Sequence, residues 1–568
     1  MLRLFFTVVF SIHAAINCFA AHLLIDERYY NIDDSGRLIL INAEVSVLNQ
    51  AFSGQLSQLY LDDTFTFDQP VAELVTGKQY VIHRDSITYR LYFTELPVIR
   101  LSTNHTIVDE PRVYSVFQLR ESNGRVTNAN MGIEHRGAYS LNYPKKSYRL
   151  ECWADTAGRL TRDISFLDMR SDDDWNLNAM YNEALRFNGK SANELWQHIH
   201  QIHYHTLEPS AQNGIKLRYV ELFLNDRYQG IYALTERVDR KQLQLKTTDA
   251  GMRGELYKTF DHSDAARFLG AKPYDNTSEI WDGIEWRYPD DQVDWENLYQ
   301  LVRKVAKASN TDFYETYPYD FEKSNLVDYF IFLNVLRGFD NTGKNIYIAR
   351  YDQQLPYFFV PWDLDGTFGA AWDGSFSPYY ENILSNGLFQ RLWQDCYPDG
   401  FMDQLQNRWT MLRQTVLEEA FVKNILWSNY QQLLANGVYE RESIAWPEFS
   451  YNARHIQEVL TWVDNRLRYL DREFSKPCVP AGVVNNQNLV VAVYPNPTRD
   501  LFYVELGNRV GQEVLQLSLF GMNGQEILRR DVQDARTVLS VGDLPDGMYL
   551  LNINGSEYTY HQRLIVAR

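Results

Sequence analysis

At 568 residues the chain is long enough for about three or four domains. Lys and Arg total 55 against 73 Asp and Glu, a net charge of −18, and no basic block is long enough to track a phosphate backbone, so nucleic acid is not an expected partner. Apolar residues make up 45% and no repeat of ~20–50 residues is visible, which excludes solenoid and disordered classes.

Residues 1–20 read as a secretory signal peptide: Arg3, an apolar run from Leu4 to about Ile16, then small residues around Cys18-Phe19-Ala20. The run falls short of the ~20 apolar residues a membrane span needs, and no later run is long enough, so the mature form is expected to have no span. Export leaves Cys152, Cys396 and Cys478, an odd and widely spaced set that allows at most one bridge.

From 22 to 93, stretches such as "GRLILINAEVSVL" and "YVIHRDSITYRLYF" alternate apolar and polar residues and predict a small β-domain. A long mixed region follows at 96–475, strands first and helices later. In it "YVELFLNDRYQGIYALTERV" predicts a hairpin around Asn225-Asp226 and a turn into a short helix. The stretch "SNLVDYFIFLNVLRGF" predicts a buried helix with Ser324 as candidate N-cap. Next, "KNIYIARYDQQLPYFFVPWDLD" predicts two strands joined at Asp352-Gln353-Gln354, and 385–475 reads as mainly helical. Residues 476–490 read as a linker, and 491–568 as about seven short strands of a β-sandwich. That last segment, with Tyr494-Pro495-Asn496-Pro497, the Asn523-Gly524 turn and "LPDGMYLL", resembles the C-terminal sorting domain of the Bacteroidetes type IX secretion system. The resemblance implies the secretion machinery as a partner, removal of the tail, and a cell-surface or extracellular destination.

The chemistry centres on "RGFDNTGKNIYIAR" and "PWDLDGTFG". Asp340 ends the buried helix, Asn345 opens the first strand of the hairpin, and the second strand returns to Asp363 and Asp365. That order suits phosphoryl transfer, which needs an aspartate near the acceptor hydroxyl, an Asn for one metal and an Asp for the other. Plain structural roles also fit: a helix-ending turn for Asp340, a turn cap for Asn345, a solvated strand end for Asp363 and Asp365. "VPWDLDGT" is similar as well to the first motif of haloacid dehalogenase phosphatases, with Asp363 as nucleophile and Asp365 as acid. The helical 385–475 region lacks the strand-helix alternation that fold requires.

These residues, with "MGIEHRGAYSLNYPKKSYRLECW", "ELFLNDRYQGIYALTE" and "GELYK", resemble the CotH kinase family of atypical, spore-coat-type protein kinases over 96–475. The resemblance implies an α+β fold with a kinase-like two-lobed core, preceded by the small β-domain and followed by the sandwich. It implies ATP with Mg2+ or Mn2+ as cofactors and a protein hydroxyl as acceptor. Asp340 takes the catalytic place, and Asn345, Asp363 and Asp365 the metal-binding ones. Arg136 and Ser140 stand at a phosphate-facing turn. Lys146 is the candidate for neutralising nucleotide phosphates, with Lys145 its rival because strand neighbours face opposite ways. Glu236 and Lys258 match the pattern on the nucleotide side without an assigned role. The segment "EALRFNG" (183–189) departs from the Asp-containing, Arg-Asn pattern expected there. A catalytically silent surface adhesin or structural protein is the alternative.

Overall fold

The computed structural model describes residues 20–247, 251–478, 491–506, 514–521, 525–532, 534, 536–554 and 559–568. The signal peptide up to residue 19, the 479–490 part of the linker and the Asn523-Gly524 turn lie outside them. The chain divides into two compact units, one ending at Cys478 and one beginning at Val479.

The first unit opens with seven strands in one sheet, in the order Ala20–Leu24, Gln55–Tyr60, Thr64–Val71, Tyr80–Arg84, Ile87–Thr94, Leu38–Asn42 and Tyr30–Asp33. Alternating apolar side chains, among them Ile39, Ile41, Phe65, Ile82, Leu91 and Phe93, give it a core of its own. Seven further strands close a barrel: Val98–Ser102, Val113–Arg120, Val126–Arg136, Ser147–Trp153, Asp174–Asn178, Leu217–Leu224 and Arg227–Thr235. Phe117, Met131, Leu150, Trp175, Leu222 and Tyr232 fill its interior. The expected hairpin is here. Leu224 pairs with Arg227, and Asn225 and Asp226 both take positive φ (50° and 59°), the two-residue turn whose twist matches the strands it joins.

A five-stranded antiparallel sheet follows, ordered Ile280–Trp281, Ile284–Tyr288, Glu255–Thr259, Ile346–Arg350, Tyr357–Pro361. Helix Lys323–Leu336 lies against its last strand and is buried on every side from Asn325 onward, as its all-round apolar sequence requires. Its N-cap is Glu322, not Ser324. The carboxylate reaches the free N–H groups of Ser324 and Asn325, which the shorter serine side chain inside the first turn cannot do. Asn325 locks helix to strand by donating to Phe359 O (3.0 Å) and accepting from Phe359 N (2.6 Å). Helices Gly387–Leu392, Phe401–Arg413, Glu419–Ala435, Val438–Ala445 and His455–Phe474 complete the unit. A disulfide joins Cys396 to Cys478, and Cys152 is free and buried.

The second unit has a three-stranded and a four-stranded antiparallel sheet, with Phe502, Val504, Leu517, Leu551, Ile553 and Leu564 in a shared core. The architecture is thus mixed α and β, with a β-rich beginning, a helical later part of the first unit and a C-terminal β region. Among the described residues no helix is long and apolar enough to cross a membrane.

Candidate active site

Helix Lys323–Leu336 stops at Arg337, which adopts left-handed geometry (φ 54°) and donates its N–H to Leu333 and Asn334. Asp340 then begins the short turn Asp340–Thr342, with its carboxylate 26% exposed and 3.5 Å from Lys344 Nζ. Asn341, the next residue, is buried and works as a bridge. Its Nδ2 donates to Asn345 O (3.1 Å) and to Trp362 O (2.8 Å), and Tyr329 Oη on the helix donates to its carbonyl (3.0 Å). Asn345 has φ 61°, which asparagine tolerates better than most residues. It donates its N–H to Thr259 O and accepts from Trp362 N at 3.1 Å. Its side-chain amide has no protein partner among the described residues. Asp363 follows the Tyr357–Pro361 strand at φ 54°; its carboxylate is exposed and likewise without a hydrogen-bond partner among the described residues.

Asp365 sits deeper. Asn182 Nδ2 donates to its Oδ2 (2.7 Å) and Gly366 N to its Oδ1 (2.9 Å). Asn188 Nδ2 holds the same loop from below, through Asp365 O (3.2 Å) and Thr367 O (2.9 Å). Burial first, and Asp363 second, push the Asp365 carboxyl up to about 7, with Asp340 adding in the same direction. Glu183 is buried nearby and accepts from Gly189 N. Its own burial and the Asp365 charge push it up to about 8. Asp365 therefore feels the charges of Asp363 and Asp340, and Glu183 that of Asp365.

Arg136 ends a barrel strand, donates to Asn178 Oδ1 and lies over the Trp362 ring at 5.9 Å. Burial lowers its pKa, opposed first by the Asp363 carboxylate. The turn after it starts at Gly137 (φ 119°), where a Cβ would collide with Ser140 Oγ. Tyr139 of this turn meets Trp372 edge to face at 4.9 Å, so the turn touches the chain just past Asp365. Lys146 Nζ closes the turn on Leu141 O (2.6 Å). Lys145 points the other way into a fully buried pair with Glu442 (2.7 Å).

Two candidates stand apart from the acids in what they bond. Buried Glu236 accepts from Arg170 N and Lys216 N, both at 3.0 Å. Lys258 lies 3.7 Å from Glu285 and directly across from Tyr347, whose ring meets Trp362 at 5.7 Å. Sequence reasoning missed Asn341, Asn182, Asn188 and Glu183. The irregular "EALRFNG" stretch holds Glu183 and Asn188 and directly follows Asn182, but nothing in it says what these side chains bond.

Asn345, Asp363 and Asp365 offer oxygen donors only, a set suited to Mg2+ or Mn2+. A cation also fits the charge, because burial first and the Asp363 carboxylate second disfavour the charged form of Asp365, and a bound cation would offset both. Among the described residues, the one triad of His, Cys, Asp or Glu with ligand atoms all within 4.8 Å of one another is Asp163, Asp172 and Asp173. Lys241 Nζ already sits in that triad at 2.7 to 3.3 Å. Asp340, Asp363 and Asp365 do not meet that spacing.

The CotH kinase protein family matches residues 133–470, and the secretion-system C-terminal sorting domain matches 492–567. No curated protein matches the chain. Among solved structures, a DUF3244 family protein with an immunoglobulin-like β-sandwich fold from Bacteroides vulgatus is 18% identical, covering 14% of this chain and 83% of that one. Its TM-score is 0.12, too low to carry any argument. The chain belongs to the CotH kinase protein family and carries a C-terminal type IX sorting domain, which marks it for export to the cell surface or the extracellular space.

Proposed function

We propose that this protein is an exported, ATP- and metal-dependent atypical protein kinase that transfers the terminal phosphoryl group to a protein hydroxyl across a two-lobed core. The observation that carries the reading is the Asn341 bridge, which ties the loop of Asp340 to the strand end of Asp363 beside Asn345. Asp363 and Asn345, supported by Asp365, would hold Mg2+ or Mn2+. The cation, when bound, neutralises the phosphate charge that otherwise repels an attacking hydroxyl. Asp340 orients the acceptor Ser, Thr or Tyr and takes its proton. Arg136 and the Gly137–Ser140 turn face the phosphates. Lys146 is the better candidate for the phosphate lysine, because Lys145 is committed to Glu442. Glu236 acts by fixing backbone, and Lys258 lines the nucleotide side opposite Tyr347.

The test is nucleotide binding and turnover by the full chain with Mg2+ or Mn2+, beside Asp340→Ala and Asp363→Ala. Asp363→Ala should lose metal-dependent nucleotide binding; Asp340→Ala should keep binding and lose transfer. A wild type that neither binds nucleotide nor transfers phosphate replaces this reading with the silent surface adhesin.

A further inference from the structure

Glu442, on helix Val438–Ala445, is fully buried far along the chain from the acids. Its Oε1 accepts from Lys145 Nζ (2.7 Å) and Ile231 N (2.6 Å), and its Oε2 from Arg186 Nη2 (3.3 Å). The barrel makes room for it at Gly230 (φ 86°), where a Cβ would overlap Oε1. A buried carboxylate is tolerated only when paired and hydrogen-bonded, and here two cations and an amide do this together.

Each cation leads to a different side of the candidate site. Lys145 belongs to the turn that runs from Arg136 to Lys146, and its Nζ also donates to Ile231 O (2.6 Å). Arg186 Nη1 donates to the carbonyls of Met180 (2.7 Å), Tyr181 (2.7 Å) and Glu183 (2.5 Å), which shapes the loop from which Asn182 reaches Asp365. We propose that Glu442 is a positioning residue that holds the phosphate-facing turn and the Asp365 loop in one fixed relation; its consequence for metal binding rests on the phosphotransfer reading of the cleft.

Glu442→Gln keeps the volume and leaves Lys145 and Arg186 without their anion. Glu221→Gln is the matched control, a carboxylate equally buried and paired with Arg441 of the same helix, but bonded to neither loop. Hydrogen exchange on the full chain should accelerate at 137–146 and 180–188 in Glu442→Gln and not in Glu221→Gln. Mn2+ affinity should fall about 10- to 100-fold in Glu442→Gln alone, the usual cost of losing support behind a ligand. Equal loosening in the control, or loops as protected as in wild type, overturns the proposal. Wild type that takes up no Mn2+ while the exchange pattern holds removes the metal reading and upholds the positioning role. Should Glu442→Gln not fold, Glu442→Asp, which keeps the charge but shortens the reach, is read in the same exchange comparison.

Discussion

Asn341 Nδ2 donates to the carbonyl of Trp362 at 2.8 Å, so the residue after Asp340 is bonded to the residue before Asp363. Asn341→Ala removes both of its donations and leaves the Trp362 carbonyl without that partner, while Asn345 O keeps the Trp362 N–H, at a cost of about 1–3 kcal/mol. Denaturant unfolding of the full chain should show that loss. Mn2+ binding should weaken with it, since Asp363 would lose its fixed distance from Asn345. A variant with wild-type stability and metal affinity would mean the bridge positions nothing.

Asp365, raised to about 7, and Glu183, raised to about 8, make the metal-free protein sensitive to pH. Both lie above the ordinary carboxylate value of about 4, so between about pH 4 and 8 the folded chain binds more protons than the unfolded chain. Their contribution therefore favours the fold at the acid end and is lost as pH rises through 7 and 8. Melting at pH 5 to 8.5 should show this as a steeper fall in wild type than in Asp365→Asn. Added Mn2+ should raise the midpoint more at pH 8 than at pH 5, because a cation competes with the proton on Asp365.

Lys145 and Lys146 are separable by one pair of variants. Burial pulls the Lys145 ammonium down to about 8 against the pull of Glu442, and Lys145→Met would leave that carboxylate with Arg186 as its one cation beside the Ile231 N–H. About 3–5 kcal/mol of stability should go, the usual result of breaking a buried ion pair from one side. Lys146→Met loses one bond to Leu141 O, about 1 kcal/mol, and should show its effect in nucleotide affinity. If Lys145→Met melts like wild type, the buried pair is not formed in solution.

The Cys396–Cys478 bridge closes a loop with a sequence separation of 82, which by chain entropy contributes about 4.5 kcal/mol. Reductant, or paired Cys→Ser substitution, should lower stability by that order. Cys152 is buried and should label with a thiol reagent only after unfolding.

Local rules reached the elements well. The Asn225-Asp226 hairpin, the helix that ends before Asp340 and the strand pair returning to Asp363 each announce themselves by turn residues and apolar period. The supports of the site do not. Asn341, Asn182 and Asn188 act through side-chain bonds to carbonyls of other segments, and an asparagine in a polar loop reads as an ordinary turn residue. Glu442 is more hidden still, because "VYERES" looks like a solvated helix face and its partners Lys145, Arg186 and Ile231 all lie more than two hundred residues earlier. Barrel closure was equally out of reach: it depends on Val98–Ser102 lying parallel to Leu217–Leu224, a pairing with no local trace.

Cys478 is the last residue of the first compact unit, and its sulfur partner lies before the final helices. The covalent route from residue 396 to the start of the tail is therefore one disulfide long. Residues 397–477 hang from that route as a side loop. Tension applied through the linker, during passage across the outer membrane or at the cell surface, would run through sulfur into Cys396 and leave helix His455–Phe474 unloaded. A pull on the tail would therefore load helix Gly387–Leu392, just before Cys396, and spare the helices between residues 397 and 477.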